Sequence, residues 1–357
     1  MTVLQVCAYG ADCPGNFIAS LETLENVLKE KEIHTIYAFA EKARMKPWCK
    51  LIQARTKVYF LPEAKARVLP KTYRIFRKIY GENEIDIVHS HFELYDIPAT
   101  ITAPKGTKVF WHLHDPINLR GGLRQMLWKF QYGVIGKRAK LISVSDFYRD
   151  SVIKMGFPAE QTVTVLNGIN LKRIQQCSNS SKKDYDFLTF GWDFHRKGDD
   201  LILEACARLS SEGYNFRLLL NGNEQTWPKL HAYLKGEIPP WLICGNPVPD
   251  VSTLFAASNA FIQASRRETF SYAVCEAAYA GLPVISSDIP GLEWAHDLPS
   301  VKFFQSENTE QLYLLMKNYL EGQSCSDAEI EQSQKLIRMR YSLNIWTSKI
   351  VEQYHLD

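Results

Sequence analysis

The feature that most constrains this chain is an alternation, run through twice, of short unbroken apolar segments with amphipathic stretches. In the first half the apolar segments are Val3–Ala8, Thr35–Phe39, Val58–Phe60, Ile85–His89, Lys108–Leu113, Leu141–Val144 and Val163–Leu166. Helical periodicity falls between them, at Phe17–Lys29, Lys71–Tyr80, Leu123–Ile135 and Phe147–Met155. Strands that are apolar throughout, rather than at every second residue, are buried on both faces. They predict a parallel sheet covered by helices on both sides, wound by right-handed crossovers.

A polar stretch, Gln175–Asp184, interrupts the pattern and reads as a linker, after which it restarts. The second set of strands is Asp186–Phe190, Phe216–Leu220, Leu242–Cys244, Ala260–Gln263, Pro283–Ser286 and Val301–Phe304. Its helices are Asp199–Ser210, Val251–Ala257, Tyr272–Ala280 and Glu310–Leu320. A chain of 357 residues also exceeds what one core comfortably organises. The expectation is an α/β protein of two Rossmann-like, doubly wound domains facing across a cleft. The last stretch, Ser342–Tyr354, lines up Ile345, Trp346, Ile350 and Tyr354 on one helical face, which must pack on one of those bodies.

Composition narrows the function classes. With 46% hydrophobic and 23% charged residues, and no apolar run near the roughly 20 residues a membrane span needs, the chain reads as a soluble globular protein. The start lacks a basic leader and a cleavage site and reads as a buried strand, which predicts a cytoplasmic location. The eight cysteines form no CxxC pair, as expected of reduced thiols. Charge is uneven: residues 1–170 hold 24 Lys+Arg against 16 Asp+Glu, and the remainder 18 against 23. Basic bunches at 42–50, 65–78 and 137–140 suit either a solvated surface or an anionic partner such as a membrane face or a phosphorylated substrate. Nucleic acid is disfavoured, because no recognition module accompanies the charge.

Ligands of doubly wound sheets bind where strands end, so motifs just after strands matter most. From Ala264 to Gly291 the sequence reads ASRRETFSYAVCEAAYAGLPVISSDIPG. Amides of Thr269, Phe270 and Ser271 fall at a helix N-terminus, which suits a phosphate or sugar oxygen. Glu268, just before the helix, is placed to hold sugar hydroxyls, and Glu276, inside it, to hold a ribose. A second turn, Phe190–Asp200, carries Arg196 and Lys197, cations able to neutralise a diphosphate leaving group. Asp184-Tyr185-Asp186 precedes a strand instead of following one and reads as incidental.

Glu268, seven residues, Glu276, then Ala280-Gly281-Leu282-Pro283-Val284-Ile285 resembles the signature of retaining glycosyltransferase family 4, of GT-B fold. The segment Gly191 to Asp200 resembles the family's Gly-Arg-x-x-x-x-Lys-Gly-x-Asp, with Lys197 on the phosphate-binding lysine. The family arginine is Trp192 here, and Arg196, Arg266 or Arg267 are the candidates to replace its charge. Where the family reads Glu-Gly-Phe-Gly, this chain has Glu268-Thr269-Phe270-Ser271. The loop Cys13–Phe17, with Gly15, resembles the family's phosphate-facing loop. Asp86-Ile87-Val88-His89-Ser90-His91 and Trp111-His112-Leu113-His114-Asp115 resemble two strand-end segments, with His114 on the histidine beside donor sugar and acceptor.

The resemblance implies residues 1–170 with 342–357 as an acceptor-binding domain and 171–341 as the nucleotide-sugar domain. It implies a metal-independent, retaining hexosyltransferase with no cofactor, its donor in the cleft. His114 and Glu268 are its catalytic residues. Gly15, Arg196, Lys197, Thr269, Phe270, Ser271 and Glu276 bind the donor. The four clustered histidines leave a backbone-bonded structural role and a zinc site open as alternatives. The acceptor is expected to be a carbohydrate, lipid-linked or polyanionic molecule of surface polysaccharide, glycolipid or teichoic-acid synthesis, met at the inner face of an anionic membrane. A sugar-nucleotide epimerase and a degenerate transferase serving as partner subunit are the competing readings. Trp192 and Thr269-Phe270-Ser271 favour the latter.

Overall fold

A computed structural model describes residues 1–115, 123–176 and 183–356; residues 177–182, in the middle of the expected linker, lie outside them. The chain divides into two compact units, Met1–Gly168 with Leu343–Asp357, and Ile169–Ser342.

The first unit is built on seven parallel strands: β1 (Thr2–Cys7), β2 (His34–Ala40), β3 (Val58–Leu61), β4 (Ile87–His91), β5 (Lys108–Leu113), β6 (Lys140–Ser143) and β7 (Thr162–Thr164). Their order is β3-β2-β1-β4-β5-β6-β7, a doubly wound sheet whose direction of winding switches between β1 and β4. Both faces are buried, as continuous apolar strands require. Against one face pack Phe76, Ile79, Tyr95 and Tyr132. The other is covered by Leu24 and Leu28 of the helix Gly15–Glu30 and by Trp346, Ile350 and Tyr354 of the last helix, Leu343–Tyr354. The C-terminal apolar stripe thus belongs to the first unit.

Six parallel strands build the second unit: β8 (Tyr185–Phe190), β9 (Leu218–Asn221), β10 (Leu242–Gly245), β11 (Ser258–Gln263), β12 (Val284–Asp288) and β13 (Val301–Gln305), ordered β10-β9-β8-β11-β12-β13. Its winding switches between β8 and β11. Each unit is therefore a doubly wound α/β domain of the expected kind.

Differences of detail have local causes. β4 runs on to His91, two residues past the expected end, because its partner β5 continues the ladder to the His91–His112 pair. The stretch Leu123–Ile135 is α-helical to Phe130 and then widens into a π-turn at Gln131–Ile135. The helix Asp327–Arg340 was not expected, having only Ile330, Ser333 and Ile337 buried. Among the described residues no helix is long and apolar enough to cross a membrane.

Candidate functional site

In the second unit the loops leaving β8 and β11, the two strands at the switch point, are locked together. Gly198 adopts φ +71°, and a Cβ there would run into the Ala264 carbonyl. The amide of Arg266 donates to the Arg196 carbonyl at 2.8 Å. Gly291, at φ +92°, closes the other side, where a Cβ would strike the Glu268 carbonyl. The loop carrying Glu268 is thus held between two glycines whose missing side chains make room for backbone.

Glu268 is the focus of this arrangement. Its Oε1 accepts from Lys197 Nζ at 2.6 Å, Ser265 Oγ at 2.9 Å, Gln263 Nε2 at 3.0 Å and Arg196 Nη1 at 3.3 Å. Burial alone would raise its pKa; Lys197 and Arg196 outweigh that and hold the carboxyl below its ordinary value. Glu268 is therefore an anchored carboxylate, and Lys197 and Arg196 are two cations gathered where strands end. Arg196 also pairs with Asp193 at 3.2 Å.

Arg266 cannot serve as the missing cation. Its guanidinium is forked onto Asp200 at 2.7 and 2.9 Å and onto Glu307 at 2.6 and 3.0 Å. Two bidentate carboxylates leave it a strut between the loops. Arg267 is exposed, and Trp192 stacks on Phe190 with centroids 5.8 Å apart. Asp199, first in the helix Asp199–Ser211, is buried, and its carboxyl oxygens have no hydrogen-bond partner among the described residues. Burial pushes its pKa up to about 8, which favours the neutral acid.

Ser271 caps the helix Tyr272–Ala280, its Oγ accepting from the Val274 amide at 3.5 Å, and holds φ +57°. Thr269 has an ordinary φ. Of the two positions where the related pattern carries glycine, only the second uses glycine's conformational range here. Phe270 turns inward: its ring stacks on Trp294 at 4.6 Å and its carbonyl accepts from Trp294 Nε1 at 2.8 Å. The ring is core, which leaves the backbone as this residue's means of reaching a ligand. Glu276 is buried, as the fifth residue of the helix.

In the first unit, Gly15 opens its helix at φ +57°. Tyr9 Oη sits behind that loop, donating to the carbonyls of Cys13 at 3.0 Å and Pro14 at 3.3 Å. His114 is buried at the end of β5 among Phe17, Phe92, His91 and His112. His89, His91 and His112 could bring ligand atoms within 4.8 Å of one another. The rings of His89 and His112 lie 5° apart and edge to edge, with Nε2 of one 3.1 Å from Nδ1 of the other, so these two nitrogens already serve each other.

Sequence reasoning passed over Glu93. Phe92 and Glu93, directly after β4, both hold positive φ, 64° and 54°, which is uncommon for residues other than glycine. Burial, then Asp96, raise the pKa of Glu93 to about 8. Tyr132 Oη donates to it at 3.3 Å, and Arg67 lies 3.5 Å away. A carboxylate immediately beyond a strand end was the available signal.

Comparison with known proteins now bears on this geometry. Residues 24–173 match the family model described as Glycosyltransferase Family 4, and residues 172–324 match that described as Glycosyl transferases group 1. The capsular polysaccharide biosynthesis glycosyltransferase CapM of Staphylococcus aureus is 25% identical over 166 residues, 42% of this chain and 44% of that protein. An uncharacterized glycosyltransferase of Methanocaldococcus jannaschii is 25% identical over 248 residues, 62% of this chain and 60% of that one. The matches thus span less than two thirds of either curated relative. In fold, the chain is similar to HepE of Anabaena, solved in complex with UDP-glucose, with TM-score 0.80, 16% identity and 99% of each chain covered.

Proposed function

This chain belongs to the glycosyltransferases of GT-B fold, its two units matching in turn the two family models that describe them, and we propose that it moves a sugar from a nucleotide-sugar donor to an acceptor hydroxyl with retention at the anomeric carbon. The observation that carries the proposal is the junction of the β8 and β11 loops, where Lys197, Arg196 and Glu268 are fastened together at the switch point of the second sheet. Lys197 and Arg196 neutralise the departing diphosphate. Glu268 holds sugar hydroxyls and Glu276 the ribose. The amides of Thr269, Phe270 and Ser271 meet a phosphate or sugar oxygen, and the absence of a side chain at Gly15 leaves the backbone of its loop open to a phosphate. His114 accepts a hydrogen bond from a substrate hydroxyl.

The fastening of Glu268 bears on the route by which retention would occur: all four donors meet its Oε1. A carboxylate bound by four donors is a poor nucleophile, which favours front-face transfer: the glycosidic bond to the diphosphate breaks, the acceptor oxygen bonds to the same face, and the departing phosphate oxygen takes the acceptor proton. No step requires a metal. The complex of the similar fold makes uridine diphosphate sugars the first donors to try. Thermal denaturation against a panel of nucleotide-sugars is expected to raise Tm for one of them, since a ligand that binds only the native state stabilises it. That donor is then expected to give a glycoside of unchanged anomeric configuration. A flat panel, or an inverted product, would overturn the assignment.

The acceptor side points to a membrane surface. The helix Pro70–Glu82 exposes Lys71, Arg74, Arg77 and Lys78. On Leu123–Phe130 and the turn after it, Met126, Leu127, Phe130 and Val134 are all more than half exposed. Arg67 joins the two surfaces, its guanidinium 5.0 Å over Trp128. Exposed apolar side chains beside cations suit the interface of an anionic bilayer and hence a lipid-linked acceptor of surface polysaccharide synthesis, with the protein peripheral at the cytoplasmic face. Vesicles containing anionic lipid are expected to sediment the protein at low salt, and Leu127→Glu with Phe130→Glu to abolish this. Equal binding to zwitterionic vesicles would remove the electrostatic part.

A further inference from the structure

In the first unit four imidazoles, an amide and a phenol form one continuous chain of hydrogen bonds. His89 and His112 pair edge to edge, Nε2 to Nδ1, at 3.1 Å, and His91 and His114 pair Nδ1 to Nε2 at 3.0 Å. One pair stacks on the other, His89 over His91 and His112 over His114, each with centroids 4.1 Å apart. Gln5 of β1 and Tyr354 of the last helix connect the pairs. His91 Nε2 lies 2.9 Å from Gln5 Oε1, Gln5 Nε2 donates to Tyr354 Oη at 3.2 Å, and Tyr354 Oη lies 2.7 Å from His89 Nδ1.

The orientation of the Gln5 amide sets the protons of this chain. Burial holds every ring neutral, with His89 and His114 pushed down to about 3 and His91 and His112 well below their ordinary value. A neutral imidazole carries one N–H. Gln5 Oε1 only accepts, so His91 is protonated on Nε2 and accepts at Nδ1, and His114 must donate from Nε2. Because Gln5 Nε2 donates to the Tyr354 oxygen, the phenol proton goes to His89 Nδ1. His89 is then protonated on Nε2 and donates to His112 Nδ1, which leaves the His112 proton on Nε2, a buried atom with no hydrogen-bond partner among the described residues, at a cost the rest of the row must offset. Turning the Gln5 amide over would reverse every bond and move all four protons to Nδ1. Hydrogen bonds in a row polarise one another, so the row responds as a unit.

We infer that Gln5 and Tyr354 are positioning residues that fix all four histidines as the Nε2–H tautomer, so that His114 can only accept at Nδ1, whichever group meets it there. That this group is a substrate hydroxyl rests on the role given to His114 above. The tautomers themselves do not, and they are measurable without any substrate.

The test is long-range 1H–15N NMR on the full chain labelled in histidine, at pH 7. His89, His91, His112 and His114 are expected to be Nε2–H throughout. Gln5→Leu is expected to release His91 and His114 into mixed tautomers, and Tyr354→Phe to release His89 and His112. With the donor identified, Gln5→Leu is expected to lower kcat about tenfold, the scale of one hydrogen bond, at unchanged donor KM. Any of the four found as Nδ1–H or imidazolium in the wild type, or held by a metal that resists chelation, overturns the inference, and this spectrum decides even where a variant fails to fold. Unchanged tautomers in Gln5→Leu overturn it too. Tautomers as expected with kcat unmoved would uphold the lock and remove His114 from the reaction.

Discussion

Lys197→Ala is expected to lower kcat about a thousandfold, the cost of removing one preorganised group from a developing charge in a shielded site, and to weaken binding of the nucleotide diphosphate. Without donor, Lys197 spends its charge on Glu268 at 2.6 Å. A diphosphate must compete for that cation. Removing the lysine leaves Ser265, Gln263 and Arg196 still donating to the carboxylate, so the stability loss is limited to about 2 kcal/mol. Glu268→Ala works in the opposite sense on binding. It frees Lys197 of this carboxylate and leaves Arg196 paired with Asp193 alone, so the diphosphate alone binds as well or better while sugar transfer is lost. Steady-state kinetics with calorimetric titration of the nucleotide diphosphate separates the pair. Equal weakening of that binding by both variants would mean that Lys197 and Glu268 do not exchange partners.

Gly291→Ala and Gly198→Ala are each expected to lower Tm by about 5–10 °C and to remove activity. Each position combines a left-handed φ with a carbonyl where the new Cβ would go, so strain and displacement add to about 2–4 kcal/mol. Gly322→Ala is the control. Its φ is +84° but nothing lies within 4 Å of the added carbon, so only the conformational cost, about 1 kcal/mol, remains. Differential scanning calorimetry reads all three. A Gly291→Ala protein no less stable than Gly322→Ala would show that the β11 loop is not wedged by the Glu268 carbonyl.

The parts legible in the sequence were those set by local chemistry. Continuous apolar strands fixed the two sheets. The Tyr272–Ala280 helix announced its end through Gly281, which takes the left-handed conformation expected of a terminating glycine. The helix Asp327–Arg340 was legible too, through the Ser326–Glu329 capping box, but its polar character hid it from a search for apolar periodicity. Arg266 and Arg196 are equivalent in sequence terms, and only the positions of Asp200 and Glu307 separate a strut from a site cation. Gln5 and Tyr354 lie 349 residues apart, and nothing local in either segment indicates that they share a hydrogen bond. Ser271 shows the reverse: the sequence suggested a loop that had lost its glycines, whereas the backbone keeps one left-handed turn and places a serine in it.

The first unit draws its last helix from the far end of the chain. During synthesis, residues 1–168 emerge early, yet the apolar surface formed by Val3, Ile87, Phe110 and Ile142 is covered only in part, by Leu24 and Leu28, until Trp346, Ile350 and Tyr354 leave the ribosome. The half made first is the half completed last, so the nascent protein depends on the intervening unit folding promptly, or on a chaperone shielding that surface in the meantime.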